Sequence, residues 1–263
     1  MTKPFIEGVS LHVRDLGRVS AFYRDVIGLA VLEAGAARTV LGAGGLPFLE
    51  LLHRPDALPQ DGREAGLFHS AFLLPSRAAL GGWLAHAAGA GQVLDGAADH
   101  LVSEAVYLRD PEGNGIEVYA DRARETWRWT ADRRVVMANK RLDQDGLMAL
   151  ATGRWSGAPA GTIIGHVHLQ GGDIAQATAF CTAALGLDVT AAGPEAVFLS
   201  SGGYHHHLAV NTWNSAGAGP RDPARAGLAS ITLRTDAVAA PQATDPWGTV
   251  FLIHPPRTEH PSS

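Results

Sequence analysis

Two residue patterns each occur twice in this chain, and this repetition limits the folds open to it. The first pattern spans residues 8–28 and returns at residues 166–186. In both copies an aspartate is followed seven residues later by phenylalanine and then six residues later by glycine. The second pattern leads from an alternating apolar segment to an Asp-Pro turn, at residues 67–117 and again at 228–252. Such repeats indicate copies of one supersecondary unit. The chain therefore divides into quarters 1 to 4, which begin near residues 8, 67, 166 and 228.

The first three quarters are predicted to share one plan, in which a strand is followed by a helix and then by further strands. In quarter 1, Val9, Leu11 and Val13 alternate with polar residues as in a half-buried strand. Asp15 can cap a helix over residues 16–26, which Gly28 would end. Quarter 2 repeats this plan with a strand, a helix and two more strands over residues 69–74, 77–89, 105–108 and 115–119.

Quarter 4 is shorter than the others. Only 22 residues separate Ser230 from Leu252, against 48 between the matching His69 and Glu117. We therefore expect its helix to be missing. The predicted fold class is α+β, with tandem βαβββ repeats that form curved mixed sheets and a truncated fourth repeat.

The repeats also predict the domain organisation. Residues 1–125 form a first module of two units, and residues 161–263 form a second module whose last unit is short. Residues 126–160 lose the pattern and mix tryptophan and arginine with glycine and proline, so they are interpreted as a linker with a short helix near 143–152.

Composition excludes several classes of partner. The net charge is -5, and no lysine or arginine run could neutralise nucleic-acid phosphates. No apolar stretch reaches the roughly 18 residues of a membrane span. A single cysteine, Cys181, cannot form an internal disulfide, which fits a cytoplasmic protein.

Metal-binding side chains stand at matched places in quarters 2 and 3 alone. His69 and His166 open the first strands of these quarters, and Glu117 lies on the inward face of the last strand of quarter 2. The residues at the matching places in quarters 1 and 4 are not expected to bind a metal; they are Gly8, Ser230 and Leu252. One surviving metal centre is expected.

Two histidines and one carboxylate would leave adjacent coordination positions open. This ligand set suits non-haem Fe(II), with Mn(II) as a close competitor.

A run of three histidines, residues 205–207, precedes an apolar strand. Leu208 and Val210 should face the helix side, and strict alternation would place His206 with them. The same alternation predicts that His207 faces the metal.

Four segments in order resemble the vicinal-oxygen-chelate superfamily, also called the glyoxalase/bleomycin-resistance/dioxygenase fold. They are residues 99–108, 110–122, 165–169 and 203–207. The chain is similar in particular to two-module, catechol 2,3-dioxygenase-like proteins. The resemblance implies that His69, Glu117 and His166 hold iron. It also implies catalytic roles for Tyr107, ten residues before the glutamate, and for His100.

The same resemblance implies an acid–base residue in a histidine pair, which corresponds to His206 and His207 and leaves the choice between them open. Because the ligands come from different halves, quarters 2 and 3 should form the active barrel and quarters 1 and 4 the empty one. In a glyoxalase arrangement His207 would instead be a fourth ligand.

Three functions follow as expectations. The first is an extradiol dioxygenase that binds a small aromatic diol and O2. The second is a metal-dependent, glyoxalase-like isomerase or lyase that uses a thiol such as glutathione. The third is a non-catalytic binding protein of the same fold. In each case the sequence leaves open whether the protein forms a homo-oligomer.

Overall fold

The computed structural model describes residues 4–236, 238 and 240–256, and it contains the four predicted units in order. Quarter 1 comprises β1 (Phe5–Val13), α1 (Leu16–Phe22), β2 (Ala30–Ala34), β3 (Arg38–Ala43) and β4 (Leu46–His53). Quarter 2 comprises β5 (Gly66–Leu73), α2 (Arg77–Gly89), β6 (Gly96–Asp99), β7 (Ser103–Arg109) and β8 (Gly115–Asp121). The connecting segment holds α3 (Gln144–Met148).

The second half follows the same plan. Quarter 3 comprises β9 (Ile163–Gln170), α4 (Ile174–Leu185), β10 (Asp188–Ala192), β11 (Ala196–Ser200) and β12 (Leu208–Asn211). Quarter 4 comprises β13 (Gly227–Arg234), β14 (Gln242–Thr244) and β15 (Val250–His254). Among its described residues quarter 4 has strands and no helix, as its length predicts. The α+β fold class is confirmed.

Each of the two sheets takes strands from both halves of the chain. The quarter 1/4 sheet has seven strands in the order β14-β15-β13-β1-β4-β3-β2, and the quarter 2/3 sheet has eight in the order β10-β11-β12-β9-β5-β8-β7-β6. The expectation that quarters 2 and 3 join is therefore confirmed. The module boundaries at residues 125 and 160 stay a prediction.

The same pairing rule builds both sheets. The first strands of two quarters meet antiparallel at the centre, as β1 with β13 and β5 with β9. Each first strand also pairs in parallel with the last strand of its own quarter, as β5 does with β8. Equivalent positions of the two sheets can therefore be compared residue by residue.

Local signals fix the ends of the helices. The Asp15 carboxylate accepts a hydrogen bond from the Arg18 amide and caps α1. The helical segment then continues as a π-helical turn over Tyr23–Ile27, and Gly28 ends it in the left-handed conformation with φ 86°. No helix in the described part of the chain is long and apolar enough to cross a bilayer.

An apolar core lies on one face of β5 and leaves the other face for the polar residues. Phe72 is fully buried and packs against Tyr23 and Phe48 of quarter 1, with ring centroids 6.0 and 6.2 Å apart. Neighbouring strand residues point to opposite faces. His69 and Ala71 therefore lie on the face away from this core.

The predicted linker packs against both halves of the chain instead of merely connecting them. Trp127 and Val135 are buried in one apolar cluster with Val102 and Tyr204. Its helix α3, capped by Asp143, is shorter than the predicted 143–152.

Candidate metal centre

Three adjacent strands bring the predicted ligands together. Ala71 on β5 pairs with His166 on β9 on one side and with Glu117 on β8 on the other. His69 lies two residues before Ala71 and so shares its face. The three side chains converge above the small Ala71 methyl group, which leaves space between them.

The convergence is tight and shielded from solvent. One possible ligand atom from each of the three residues lies within 4.8 Å of the others. The Nε2 atoms of His69 and His166 lie 3.0 and 3.2 Å from Glu117 Oε2. All three side chains are buried.

The charges of the cluster suit a cation. Burial alone would raise the pKa of Glu117, but His166 and His69 beside it hold this pKa well below its usual range. Burial lowers the pKa of His166 to about 4, although Glu117 opposes the shift. His69 Nε2 is buried and, although it lies 3.0 Å from Glu117 Oε2, it is not aligned for a hydrogen bond with any described residue. An ionised carboxylate between two buried imidazoles, of which that of His166 is neutral, fits a divalent metal.

The place of a fourth ligand holds an alanine. On the other side of the sheet's centre, Ala209 of β12 pairs with His168 as Glu117 pairs with Ala71. A methyl group cannot bind a metal. Among the described residues the cluster therefore has three members.

Tyr107 and His100 form a hydrogen-bonded pair beside the cluster. Tyr107 pairs with Glu117 across β7 and β8. His100 Nδ1 lies 3.1 Å from the Ala138 carbonyl, to which it must donate, so its Nε2 accepts from the Tyr107 hydroxyl at 2.6 Å. Burial, and then the charge of Glu117, raise the pKa of Tyr107, so its hydroxyl keeps its proton.

The predicted orientation of the histidine run is wrong. His206 lines the cavity above the cluster, with its ring centroid 4.1 Å from that of His166. His207 lines a separate cavity near Pro4, where its Nδ1 accepts from the Ser201 amide. The alternation fails because β12 begins only at Leu208, and turns precede it.

The cluster lies in a cavity of about 800 Å³. Its outer wall is made of small and apolar side chains from β6, from the β10–β11 hairpin and from the segment predicted as a linker. These residues include Ala97, Ala98, Ala192, Ala196, Val135 and Met137. The size falls within the range of cavities that hold drug-sized ligands.

Several wall residues had no assigned role in the sequence. Phe68 packs edge-on against Trp213 and His168, with centroids 5.3 and 5.0 Å away. The Asn211 amide lies 3.0 Å from His168 Nε2. The inward alternation of β9 indicates the position of His168, but no local pattern indicates that Phe68 or Trp213 reaches the cavity.

The sequence matches the model of the Glyoxalase/Bleomycin resistance protein/Dioxygenase superfamily over residues 6–118 and 163–244. These matches cover most of the chain. The chain belongs to this superfamily. The expected resemblance is therefore confirmed, and the two matched segments coincide with the two halves that each contribute strands to both sheets.

The chain is similar to one curated protein in sequence and to two solved structures in fold. The chain is 42% identical over 228 residues to a protein of Bacillus subtilis (strain 168) named catechol-2,3-dioxygenase, covering 85% of this chain and 80% of that one. A B. subtilis structure described provisionally as a dioxygenase superposes with a TM-score of 0.62 at 13% identity, over 95% and 84% of the two chains. Glyoxalase I of Zea mays gives 0.56 at 14% identity, over 95% and 92%. These two structures show the shared fold alone.

Proposed function

We propose that this protein is an extradiol ring-cleaving dioxygenase that inserts O2 into a catecholic substrate at Fe(II) held by His69, Glu117 and His166. The observation that carries the proposal is the three-membered cluster beneath a large cavity, with Ala209 at the fourth place. Three protein ligands on one side leave room for a bidentate diol and for dioxygen. The name of the B. subtilis relative supports the same activity.

When bound, Fe(II) would supply Lewis acidity to both diol oxygens and a route for electrons between diol and dioxygen. The chain's own residues would orient the substrate and move protons. His206 lies on the cavity wall next to His166 and is the proposed acid–base residue. Burial lowers the pKa of His206 well below its ordinary value, so its ring is neutral and able to accept a proton from a diol hydroxyl.

His100 and Tyr107 would act on the oxygens of the bound reactants. The Tyr107 hydroxyl keeps its proton and is held by His100 Nε2 at 2.6 Å. While His100 Nε2 accepts this proton, the Tyr107 oxygen can accept a hydrogen bond from a hydroxyl of the bound diol. To stabilise an oxygen that gains negative charge, the Tyr107 O–H would have to leave His100 and donate to that oxygen instead.

The charges of the wall favour a neutral diol. Arg109 is the one arginine or lysine among the lining residues, and it is paired with Asp95 at 2.9 Å. The remaining wall residues include Ser103 and Asn139 but are mostly small and apolar. The wall offers no unpaired cation for the carboxylates of glutathione, and the missing fourth ligand also departs from the glyoxalase-like alternative. These two features support the dioxygenase over the isomerase.

The test is anaerobic loading of the full chain with Fe(II), followed by catechol in air. We expect oxygen uptake and a yellow ring-fission product in equal amounts. Parallel samples loaded with Mn(II) distinguish the two metals. Oxygen-independent isomerisation of a glutathione hemithioacetal, without any cleavage of catechols, would contradict the proposal.

A further inference from the structure

A chain of hydrogen bonds leads from the cavity wall toward the surface. His206 Nδ1 lies 2.7 Å from Nδ1 of His205, and His205 Nε2 lies 3.0 Å from Asp121 Oδ1. The His205 side chain is fully buried, whereas that of Asp121 is 24% exposed. Asp121 stands at the end of β8, four residues after the ligand Glu117.

The chemistry of these groups decides which atom is the donor in each hydrogen bond of this series. An ionised carboxylate can only accept hydrogen bonds, so His205 Nε2 must carry the proton that it shares with Asp121. In a neutral ring, Nδ1 of His205 is then the acceptor. With both rings neutral, the proton between the two histidines belongs to His206 Nδ1, and His206 Nε2 is left with its lone pair.

Packing holds His205, the middle residue of this hydrogen-bonded series, in place. The His205 ring lies 4.1 Å from the ring of Tyr204 and 5.2 Å from that of Trp127, measured between centroids. The Tyr204 hydroxyl also donates to Asp121 Oδ1 at 3.2 Å. Because these two rings lie close to it and the carboxylate is hydrogen-bonded, His205 cannot turn to exchange its nitrogens without disturbing its neighbours.

We propose that Asp121 and His205 are positioning residues, which fix His206 as the Nδ1–H tautomer and present its Nε2 to the cavity as a hydrogen-bond acceptor. Among the described residues His206 Nε2 has no hydrogen-bond partner, so a substrate hydroxyl can take that place. The use of this acceptor by a diol rests on the proposed function. The tautomer itself does not, because it follows from the three side chains alone.

The direct test is nitrogen NMR of the full chain with ¹⁵N-labelled histidine, both metal-free and loaded with Zn(II). The His206 signals are assigned by their loss in His206→Gln. We expect a protonated Nδ1 and an unprotonated Nε2 for His206, and the reverse for His205. A proton on His206 Nε2 in the unsubstituted protein would overturn the proposal, and this measurement requires no variant of Asp121.

Asp121→Leu removes the acceptor that sets the direction, so we expect mixed or reversed tautomers of both histidines. Tyr204→Phe is the matched control, because it removes a neighbouring hydrogen bond but keeps the carboxylate, and its tautomers should not change. An unchanged His206 tautomer in a folded Asp121→Leu protein would also overturn the proposal.

Kinetics separate positioning from a merely structural role. Asp121→Leu should lower kcat for catechol by about 100-fold, the lower end of the range for acid–base catalysis, while bound Fe(II) per chain stays the same. An equal loss in Tyr204→Phe would contradict the role of the carboxylate. If the unsubstituted protein cleaves no catechol, the proposed function fails, and the NMR result still decides the tautomer.

Discussion

The quarter 2/3 sheet and the quarter 1/4 sheet have the same central register but different side chains at equivalent places. In the first sheet Ala71 pairs with His166 and with Glu117. In the second, Thr232 takes the place of Ala71, and its partners are Gly8 and Leu252. The two sheets thus have equivalent backbone positions, and only those of the quarter 2/3 sheet carry side chains that could bind a metal among the described residues.

Neighbouring residues also occupy the space at the equivalent positions of the quarter 1/4 sheet. A Cβ atom on Gly8 would lie 2.8 Å from the Phe48 carbonyl oxygen, so a histidine could not replace this glycine without a backbone shift. On the same face Arg234 forms an ion pair with Glu7, and His254 lies 2.8 Å from the same carboxylate. Loss of the second site therefore involves close packing and ion pairing as well as the missing ligands.

Removing a proposed metal ligand from the quarter 2/3 sheet should have the largest effect. For His166→Ala we expect catechol cleavage to fall by more than about 100-fold, since even changes to the partners of metal ligands cost 10- to 100-fold. The rate is measured by oxygen uptake after Fe(II) loading. The matched change in the other sheet, Ser230→Ala at the place of His69, should leave the rate unchanged. Similar losses in both variants would mean that the two sheets do not differ as described.

Next in size is the contrast between two adjacent histidines. His206→Gln should lower kcat by about 100-fold or more while Fe(II) binding persists, because the ring lines the cavity. His207→Gln should have a much smaller effect on kcat, because that ring lies in the cavity near Pro4. Rate measurements with metal analysis on both proteins test this order. A dominant loss in His207→Gln would restore the orientation predicted from the sequence.

The smallest expected effect concerns stability. Gly8→Ala should lower the free energy of unfolding by about 1–3 kcal/mol, as overpacking does, because its methyl group would meet Phe48 at 2.8 Å. The control is Gly17→Ala in α1, where the nearest atom is an Asp15 carboxylate oxygen 3.7 Å away. This change should stabilise by up to about 1 kcal/mol, because alanine favours helices. Urea unfolding compares the two. Equal stability of Gly8→Ala and the unsubstituted protein would show that the quarter 1/4 sheet has space for a side chain at position 8.

The repeats made the ligand cluster predictable. His69, Glu117 and His166 occupy matched places in units of one plan, so their meeting follows once quarters 2 and 3 share a sheet. Helix boundaries followed from local signals such as the Asp15 cap and Gly28. The α-helix ended earlier than predicted because the segment after Phe22 becomes a π-helical turn.

Other features depend on contacts that no local pattern encodes. The orientation of His206 depends on where β12 begins, and the turn before it includes Gly202 and Gly203 with φ of 67° and 70°. Alternation cannot be extended through such a turn. Likewise, Val135 and Met137 reach the cavity from a segment without periodicity, so only the fold reveals their position.

Each chain should hold one metal, with ligands from both of its halves. Elemental analysis of the full chain after anaerobic Fe(II) loading and removal of unbound metal tests it most directly, with Glu117→Ala and Leu252→Ala as the matched pair. We predict one iron per chain in the unsubstituted protein and in Leu252→Ala, and nearly none in Glu117→Ala. Two metals per chain, or full loading of Glu117→Ala, would contradict the account.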